Sequence, residues 1–391
     1  MTSVTDRVAR RSGSYRAVSP EFTWERVYPL CERFGITRVA EITGLDEIGL
    51  PVAIAYRPVG STYAVSIGTG LRLVEARVSA IMESIEVWHA ENPICTSEFR
   101  AASRDLALHY DPRTLNLAPR SPLTAATVLD WVTGYGVLTG SAHLVPFDTV
   151  TLDFTRPDGW GRRLFNTTSN GLASGNNTEE AVLHALLELI ERDCITDHSL
   201  SSPGDRRYVD PSTIRDPDAR AVYTALRGAG CRIILCDITN RVGIPCYAAE
   251  IWSSDVPIRS GGFGCHVEAD LAAGRALAEA AQSRLGVVSG ARDDIDANAY
   301  QPGRPLIEPV RGTADSLTER SVPAWMQNAD LATVVHHCAE RIAAVTGVEP
   351  FTLDLTHPDI GVAVCKAYAP GLRLFEHEAI ENSSGDPQGR R

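Results

Sequence analysis

The chain has 391 residues, 44% of them hydrophobic and 22% charged, an ordinary globular composition with ample material for a core. Its formal charge of −12 argues against passive, charge-driven binding to nucleic acid or to an anionic membrane. A phosphate ligand stays open, because a few arginines or a divalent cation can reverse the sign locally.

Lys366 is the only lysine among 37 Lys and Arg, and no G-x-x-x-x-G-K-[ST] loop surrounds it, so any use of ATP proceeds without a Walker lysine. The nine cysteines form no C-x-x-C pair and several lie in apolar runs such as "CRIILCDI", which reads as free thiols in a reducing compartment. The N-terminal stretch has no apolar h-region and no apolar run reaches membrane-spanning length, so the expected location is cytoplasmic.

Residues 1–35 read as an arm ending in a short helix around "TWERVYPLCERF". From Arg38, "RVAEITGLDEIGLPVAIAYRP" is two apolar runs around a turn, the pattern of a β-hairpin. The helix "ARVSAIMESIE" follows, with Ala76, Ala80, Glu83 and Glu86. Strand-like "HLVPFDTVTLDF" and "RLFNTTSNG" come next, then the small-residue loop "NGLASGN". That loop opens into the helix "AVLHALLELIE", with Ala181, Ala185, Glu188 and Glu191. Residues 201–230 read as a loop and a surface helix. A second hairpin, "RIILCDITNRVGIPCYAAEIW", starts at Arg232, and a third helix, "AAGRALAEAAQ", carries Ala272, Ala276, Glu279 and Gln282. Residues 296–330 are rich in Pro, Gly and polar residues and suggest a lid. A third hairpin, "FTLDLTHPDIGVAVCKAYAPG", starts at Phe351, and the tail "ENSSGDPQGRR" reads as disordered.

The three helices share the register A-x-x-x-A-x-x-E-x-x-[EQ] and start 105 and then 91 residues apart. Alanines at i and i+4 let a helix sit close to a sheet, and acidic or amide groups at i and i+3 share a face one turn on. With the hairpins, this predicts an α+β fold of repeated β-hairpin-plus-helix units fused into one large domain, sheets packed on helices. The expected limits are an arm and short helix over 1–35, a catalytic domain over 36–375 and a flexible tail over 376–391.

On the middle helix, Glu180 and Glu191 differ by about 20° in projection and Glu188 lies about 60° from Glu191. Asn176 projects to the same side, His184 falls between Glu180 and Glu188, and Val182, Leu186 and Leu189 lie opposite. Two carboxylates about 5 Å apart repel by roughly 3 kcal/mol at an effective dielectric near 20. Either the stripe faces water or cations neutralise it, and Mg2+ is the natural ion for carboxylates and phosphates. A His184–Glu188 transition-metal pair lacks an evident third ligand. The loop "NGLASGN" can turn backbone N–H groups toward an anion at the helix start.

Together, "SAIMESIEVWHAE", "SNGLASGNNTEEAVLHALLELIERD", "ALAEAAQSRLGVVSGARDD" and "FGITRVAEITGLDEIGLP" resemble the YcaO family over about residues 15–370. The resemblance implies an enzyme that uses ATP and Mg2+ to activate a backbone amide of a peptide. It implies Glu83, Glu86, Glu188 and Glu191 as metal-carrying pairs, with Asn176 and Glu180 as an upstream metal- and nucleotide-contacting pair. Arg192 and Arg284 match phosphate-clamping arginines, and Arg16 and Thr23 match a basic and a hydroxyl residue that reach the nucleotide.

Two departures stand out. Many members read G-K-G where this chain has Gly68-Thr69-Gly70, so either another arginine, such as Arg72 or Arg77, supplies the missing charge or the chain handles a different nucleophile or peptide. The chain also lacks the proline-rich ending common among azoline-forming relatives; in this it resembles members that form thioamides with a TfuA-type partner, or stand-alone members, and thioamide formation is the reading preferred. The resemblance further implies a ribosomal precursor peptide as substrate. The arm is too short for a leader-peptide-binding domain, so a partner protein is expected to deliver that peptide; a homodimer is left open. The implied chemistry is addition of sulfide, a Cys, Ser or Thr side chain, or an amine to the amide carbon, with the oxygen leaving on phosphate. Azoline or amidine formation, a non-catalytic peptide-binding scaffold and an unrelated metal enzyme are the alternatives.

Overall fold

The computed structural model describes residues 9–11, 14–154, 163–256, 258–290, 315–317 and 329–374. The expected lid lies almost wholly outside these residues, and the expected tail lies wholly outside them.

The arm forms β1 (Ala9–Arg11) and β2 (Ser14–Arg16), an antiparallel ribbon, and then α1 (Pro20–Val27). Ser19 caps α1 by accepting the Phe22 N–H, and Pro20 takes a first-turn position that needs no donor. Next come β3 (Arg38–Glu41), β4 (Val52–Tyr56), β5 (Val65–Thr69) and α2 (Leu73–Glu91). They are followed by β6 (Phe99–Ala102), β7 (Val128–Gly136), β8 (Ala142–Pro146), β9 (Leu172–Gly175) and α3 (Thr178–Leu200). The chain continues through β10 (Arg207–Asp210), α4 (Pro217–Gly228), β11 (Arg232–Asp237), β12 (Cys246–Trp252), β13 (Ser260–Cys265) and α5 (Ala269–Ser289). Last come β14 (Asp315–Ser316), α6 (Leu331–Thr346), β15 (Phe351–Asp354) and β16 (Ala363–Tyr368).

Three sheets carry the larger helices. Their strand orders are β3-β4-β5, β6-β7-β15-β16-β9 with β8 on β7, and β13-β12-β11-β10-β14. The hairpins at Arg38, Arg232 and Phe351 are the antiparallel pairs β3–β4, β11–β12 and β15–β16. The third does not precede its helix: β16 pairs with β9, so α3 takes its hairpin from the far end of the sequence. The segment expected to supply it does less. "HLVPFDTVTLDF" gives β8 and a single 3-10 turn, and "RLFNTTSNG" gives an isolated bridge between Leu117 and Phe165.

Helices and sheets interlock in a cycle. α2 lies on β4 and β5 and touches β9; α3 lies on β9 and β16 and touches β13; α5 lies on β12 and β13 and touches β5. α3 is the most enclosed, with Leu183, Leu186, Leu189 and Ile190 almost inaccessible, each contributing about 2 kcal/mol by burial. Its start is fixed by Asn177, whose side chain accepts the Glu180 N–H. The alanines do what their spacing predicts. A Cβ on Gly68 would stand 2.4 Å from the Ala76 carbonyl and 2.3 Å from the Ala80 nitrogen; on Gly264 it would meet Ala272 at 2.3 Å and Ala276 at 2.5 Å. Helix backbone thus rests directly on strand backbone in both places, which fixes how far each helix stands from its sheet.

All nine cysteines are free thiols, seven of them buried. Among the described residues no helix is long and apolar enough to cross a membrane. Substituting Gly264→Ala should push α5 off β13 and cost about 1–3 kcal/mol in denaturant unfolding; an unchanged midpoint would show that the close approach is not needed.

Candidate active site

The three helices point their acidic positions into one cavity of about 540 Å³. Glu83 and Glu86 enter from α2, Glu180, Glu188 and Glu191 from α3, and Glu279 and Gln282 from α5. Asn176, Arg16 and Thr23 also line it.

Most of these carboxylates are held by backbone. β5, β9 and β13 are terminal strands of their sheets, so their outward N–H groups need acceptors. Glu83 accepts the Ile67 N–H of β5 at 3.1 Å and Glu279 the Phe263 N–H of β13 at 2.8 Å. Glu86 crosses to β9, accepting the Ser174 N–H at 2.9 Å and its hydroxyl at 2.6 Å. Glu188 accepts the Gly171 N–H at 3.0 Å, in the turn that leads to β9.

Burial pushes the pKa of Glu86 up to about 7, although the Ser174 hydrogen bonds oppose it. Glu188 is also pushed up to about 7, first by burial; Arg192 acts against the shift, and Glu191 and Glu86 add to it by repulsion. Glu279 reaches about 7 by burial and by repulsion from Glu191. Carboxylates from different helices therefore feel one another's charge.

A second cluster ties the arm to the start of α3. Asn176 Nδ2 donates to both Glu180 oxygens at 3.1 Å, and Thr23 Oγ1 donates to Asn176 Oδ1 at 2.9 Å. Arg16 Nη1 and the Ala17 N–H each reach Glu180 at 3.0 Å. Arg16 also donates to His184 Nδ1 at 3.2 Å, and burial together with Arg16 keeps that imidazole neutral, far below its ordinary pKa. The seven-residue spacing of Arg16 and Thr23 thus brings both to Asn176 and Glu180.

Arg284 is placed elsewhere. Its guanidinium is fully buried, bidentate on Asp46 at 2.8 Å, with a third bond to Ser253, and it does not line the cavity. Arg275 lines the cavity instead, beside Arg16 and Arg192. The reason is helical: nine residues turn a helix through about 900°, so Arg275 and Arg284 occupy opposite faces of α5. Arg275 shares a face with Glu279 and Gln282, a signal present in "AAGRALAEAAQ". Arg192 stands one turn past Glu188, 3.7 Å from its carboxylate. The expected substitutes for the family lysine do not enter either. Arg72 pairs with Glu75 at 2.7 Å and with Glu21, and Arg77 lies over the Trp24 ring at 5.8 Å. Thr69 lines the cavity with its hydroxyl given to the Pro51 carbonyl at 3.1 Å.

A family profile described as YcaO cyclodehydratase, ATP- and Mg2+-binding, matches residues 67–373. The chain belongs to the YcaO family. An uncharacterised protein of Mycobacterium tuberculosis (strain H37Rv) is 36% identical over 376 residues, covering 94% of this chain and 84% of its own length. An uncharacterised protein from the tfuA 3' region of Rhizobium leguminosarum bv. trifolii is 34% identical over 384 residues, covering 92% and 89%. Among solved structures, YcaO from Methanopyrus kandleri bound with AMPPCP and Mg2+ superposes with a TM-score of 0.73 at 21% identity, covering 98% of this chain and 99% of that one. A heterocyclase in complex with substrate and cofactor gives a TM-score of 0.77 at 21% identity, covering 93% and 53%. At that identity both show the fold alone.

The residues present suit the ATP- and Mg2+-binding character of the YcaO family. Acidic side chains outnumber the three arginines in the cavity, and burial first, with like-charge repulsion at Glu188 and Glu279, raises the pKa values of Glu86, Glu188 and Glu279. Among the described residues no three His, Cys, Asp or Glu groups converge into a ready-made chelate. Mg2+ does not require one, since it takes one or two carboxylates and completes its shell with phosphate oxygens and water.

Two outcomes follow for the ligand-free protein. Arg284→Met strands Asp46 in the interior and should cost about 3 kcal/mol in denaturant unfolding, whereas an exposed or phosphate-facing arginine would cost almost nothing. Glu188 has a folded pKa above its ordinary value, so its contribution to stability is complete at low pH and is lost as pH rises through about 7. Glu188→Gln should therefore match wild type at pH 5 and exceed it by roughly 1–2 kcal/mol at pH 8; equal differences at both pH values would contradict the assignment.

Proposed function

We propose that this chain activates a backbone amide of a ribosomally made peptide with ATP and Mg2+, exchanging the amide oxygen for sulfur with the help of a TfuA-like partner. The carrying observation is the convergence of glutamates from α2, α3 and α5 on one cavity, most of them aimed by backbone N–H groups. The choice of sulfur is supported by the 34%-identical relative from a tfuA 3' region.

In this reading Glu83, Glu86, Glu180, Glu188 and Glu191 carry the metal. Bound Mg2+ would neutralise the triphosphate and the charge that develops as phosphate transfers. Arg192 and Arg275 hold phosphate oxygens, and Arg275 takes the part first given to Arg284. Arg16, Thr23 and Asn176 tie the arm over the start of α3, where the nucleotide is bounded. His184 stays neutral and gives Arg16 a fixed acceptor. The site's donors and charges act by orientation and electrostatic stabilisation more than by proton transfer. The overall exchange balances: hydrosulfide adds to the amide carbon, the amide oxygen takes the γ-phosphoryl group, and phosphate leaves with that oxygen. Thr69 offers no charge there, so the positive side chains lining the cavity are arginines.

Azoline formation is the second reading, favoured by the cyclodehydratase description of the family. Mass spectrometry of a candidate peptide separates the two: oxygen-to-sulfur exchange adds mass, and cyclodehydration removes one water. Glu188→Gln and Glu191→Gln should each lower peptide-dependent phosphate release by about a hundredfold or more while far-UV circular dichroism stays that of wild type. Retained turnover in both variants would remove the glutamates from the chemistry.

A further inference from the structure

Lys366 stands outside everything assigned above. It is the single lysine of a chain that otherwise uses arginine, and it is only 3% exposed. It sits on β16, between Leu353 of β15 and Leu172 of β9. With Leu189 of α3 it lines a small cavity of about 40 Å³. An ammonium in such a place costs several kcal/mol unless hydrogen bonds or an opposite charge offset the burial.

Its Nζ donates to the Thr168 carbonyl at 2.9 Å. Thr168 begins the turn into β9, and that turn is tied at each step. The Asn170 N–H donates to Thr168 Oγ1 at 3.2 Å and the Leu172 N–H to the Ser169 carbonyl at 2.7 Å. The Ala367 N–H, next to the lysine in sequence, donates to the Gly171 carbonyl at 2.7 Å. Gly171 has φ +77°, and a Cβ there would stand 2.4 Å from the Ala367 carbonyl oxygen, so the turn has no room to shift toward β16. The Gly171 N–H then donates to Glu188 Oε2 at 3.0 Å. The same turn is the wall between the two cavities: Thr168 and Asn170 line the small one, Ser169 and Leu172 the large one.

We infer that Lys366 is a positioning residue for Glu188. By holding the Thr168 carbonyl it fixes the turn whose Gly171 N–H aims the Glu188 carboxylate, and it places an ammonium behind a group of like charges. A compact ammonium suits a single carbonyl in a small space, where a guanidinium would spread its donors over a planar fork. The inference rests on the reading of the large cavity as a nucleotide and metal site.

The test is ATP binding to the full chain, titrated with Mg2+, together with hydrogen exchange of the ligand-free protein. Lys366→Met should raise the Mg2+ concentration needed for half-saturation by roughly tenfold or more. It should also speed amide exchange over residues 168–172. Lys366→Arg keeps the charge and should recover part of the Mg2+ effect. Asn116→Leu perturbs the same small cavity without touching a charge and should leave the Mg2+ requirement at the wild-type value. A Lys366→Met protein with the wild-type Mg2+ requirement overturns the inference, and so does an Asn116→Leu protein shifted as far. If Lys366→Met does not fold, Lys366→Gln is read on the same scale. Failure of both to fold, with Lys366→Arg unchanged in its Mg2+ requirement, assigns the lysine to stability alone and overturns the inference. Wild-type protein that binds no ATP at any Mg2+ concentration refutes the reading of the cavity, a result distinct from all of these.

Discussion

Edge strands end with N–H groups that point away from their own sheet, and here three such edges surround one cavity. Glutamates accept hydrogen bonds from all three: Glu83 from β5, Glu86 from β9 and Glu279 from β13, with Glu188 closing the turn before β9. A carboxylate bound in this way is oriented by the strand edge, since turning away gives up a backbone donor already aimed at it. The same bond that closes a sheet edge therefore aims an acidic group at the cavity. Fold and site share their hydrogen bonds, and the glutamate positions serve both.

That sharing has an electrostatic consequence. Ordinary cores place carboxylates against cations, as Arg57 does with Glu91 and Arg284 with Asp46. Around the cavity the balance is left acidic, and burial raises Glu86, Glu188 and Glu279 toward neutral pH. Such a site is stabilised by what it binds. A divalent ion with a polyphosphate meets both needs, since the ion offsets the carboxylates and the arginines offset the phosphates. The strain of like charges in the empty protein and the affinity for a metal–nucleotide pair are two faces of one arrangement.

Lys366 and the two arginines of α5 show how position decides role among groups of equal charge. Arg284 and Arg275 share a helix, yet one is bound to Asp46 in the interior and the other lines the cavity. Their separation by half a helical turn in projection is enough to divide structure from site. Lys366 lies on neither face of a cavity-lining helix; it acts from the sheet beneath α3, through a turn only a few residues long.

Helical spacing alone showed that Glu180, Glu188 and Glu191 share a face, that Ala76, Ala80, Ala272 and Ala276 allow close packing, and that three hairpins accompany the helices. These are local properties, set by 3.6 residues per turn and by alternation along strands. The YcaO motifs lay in the same local stretches, which is why the family was legible. Spacing could also have excluded Arg284 in favour of Arg275, had its face been compared with that of Glu279. What local pattern could not carry was pairing over distance. Only the folded chain joins β16 to β9 so that the last hairpin serves the middle helix, and only it sets Glu86 against Ser174 of another sheet. Whether a glutamate stripe met solvent or its counterparts on two other helices was likewise decided there. Periodicity orients a side chain about its own axis, whereas the neighbour it meets depends on how separate elements pack.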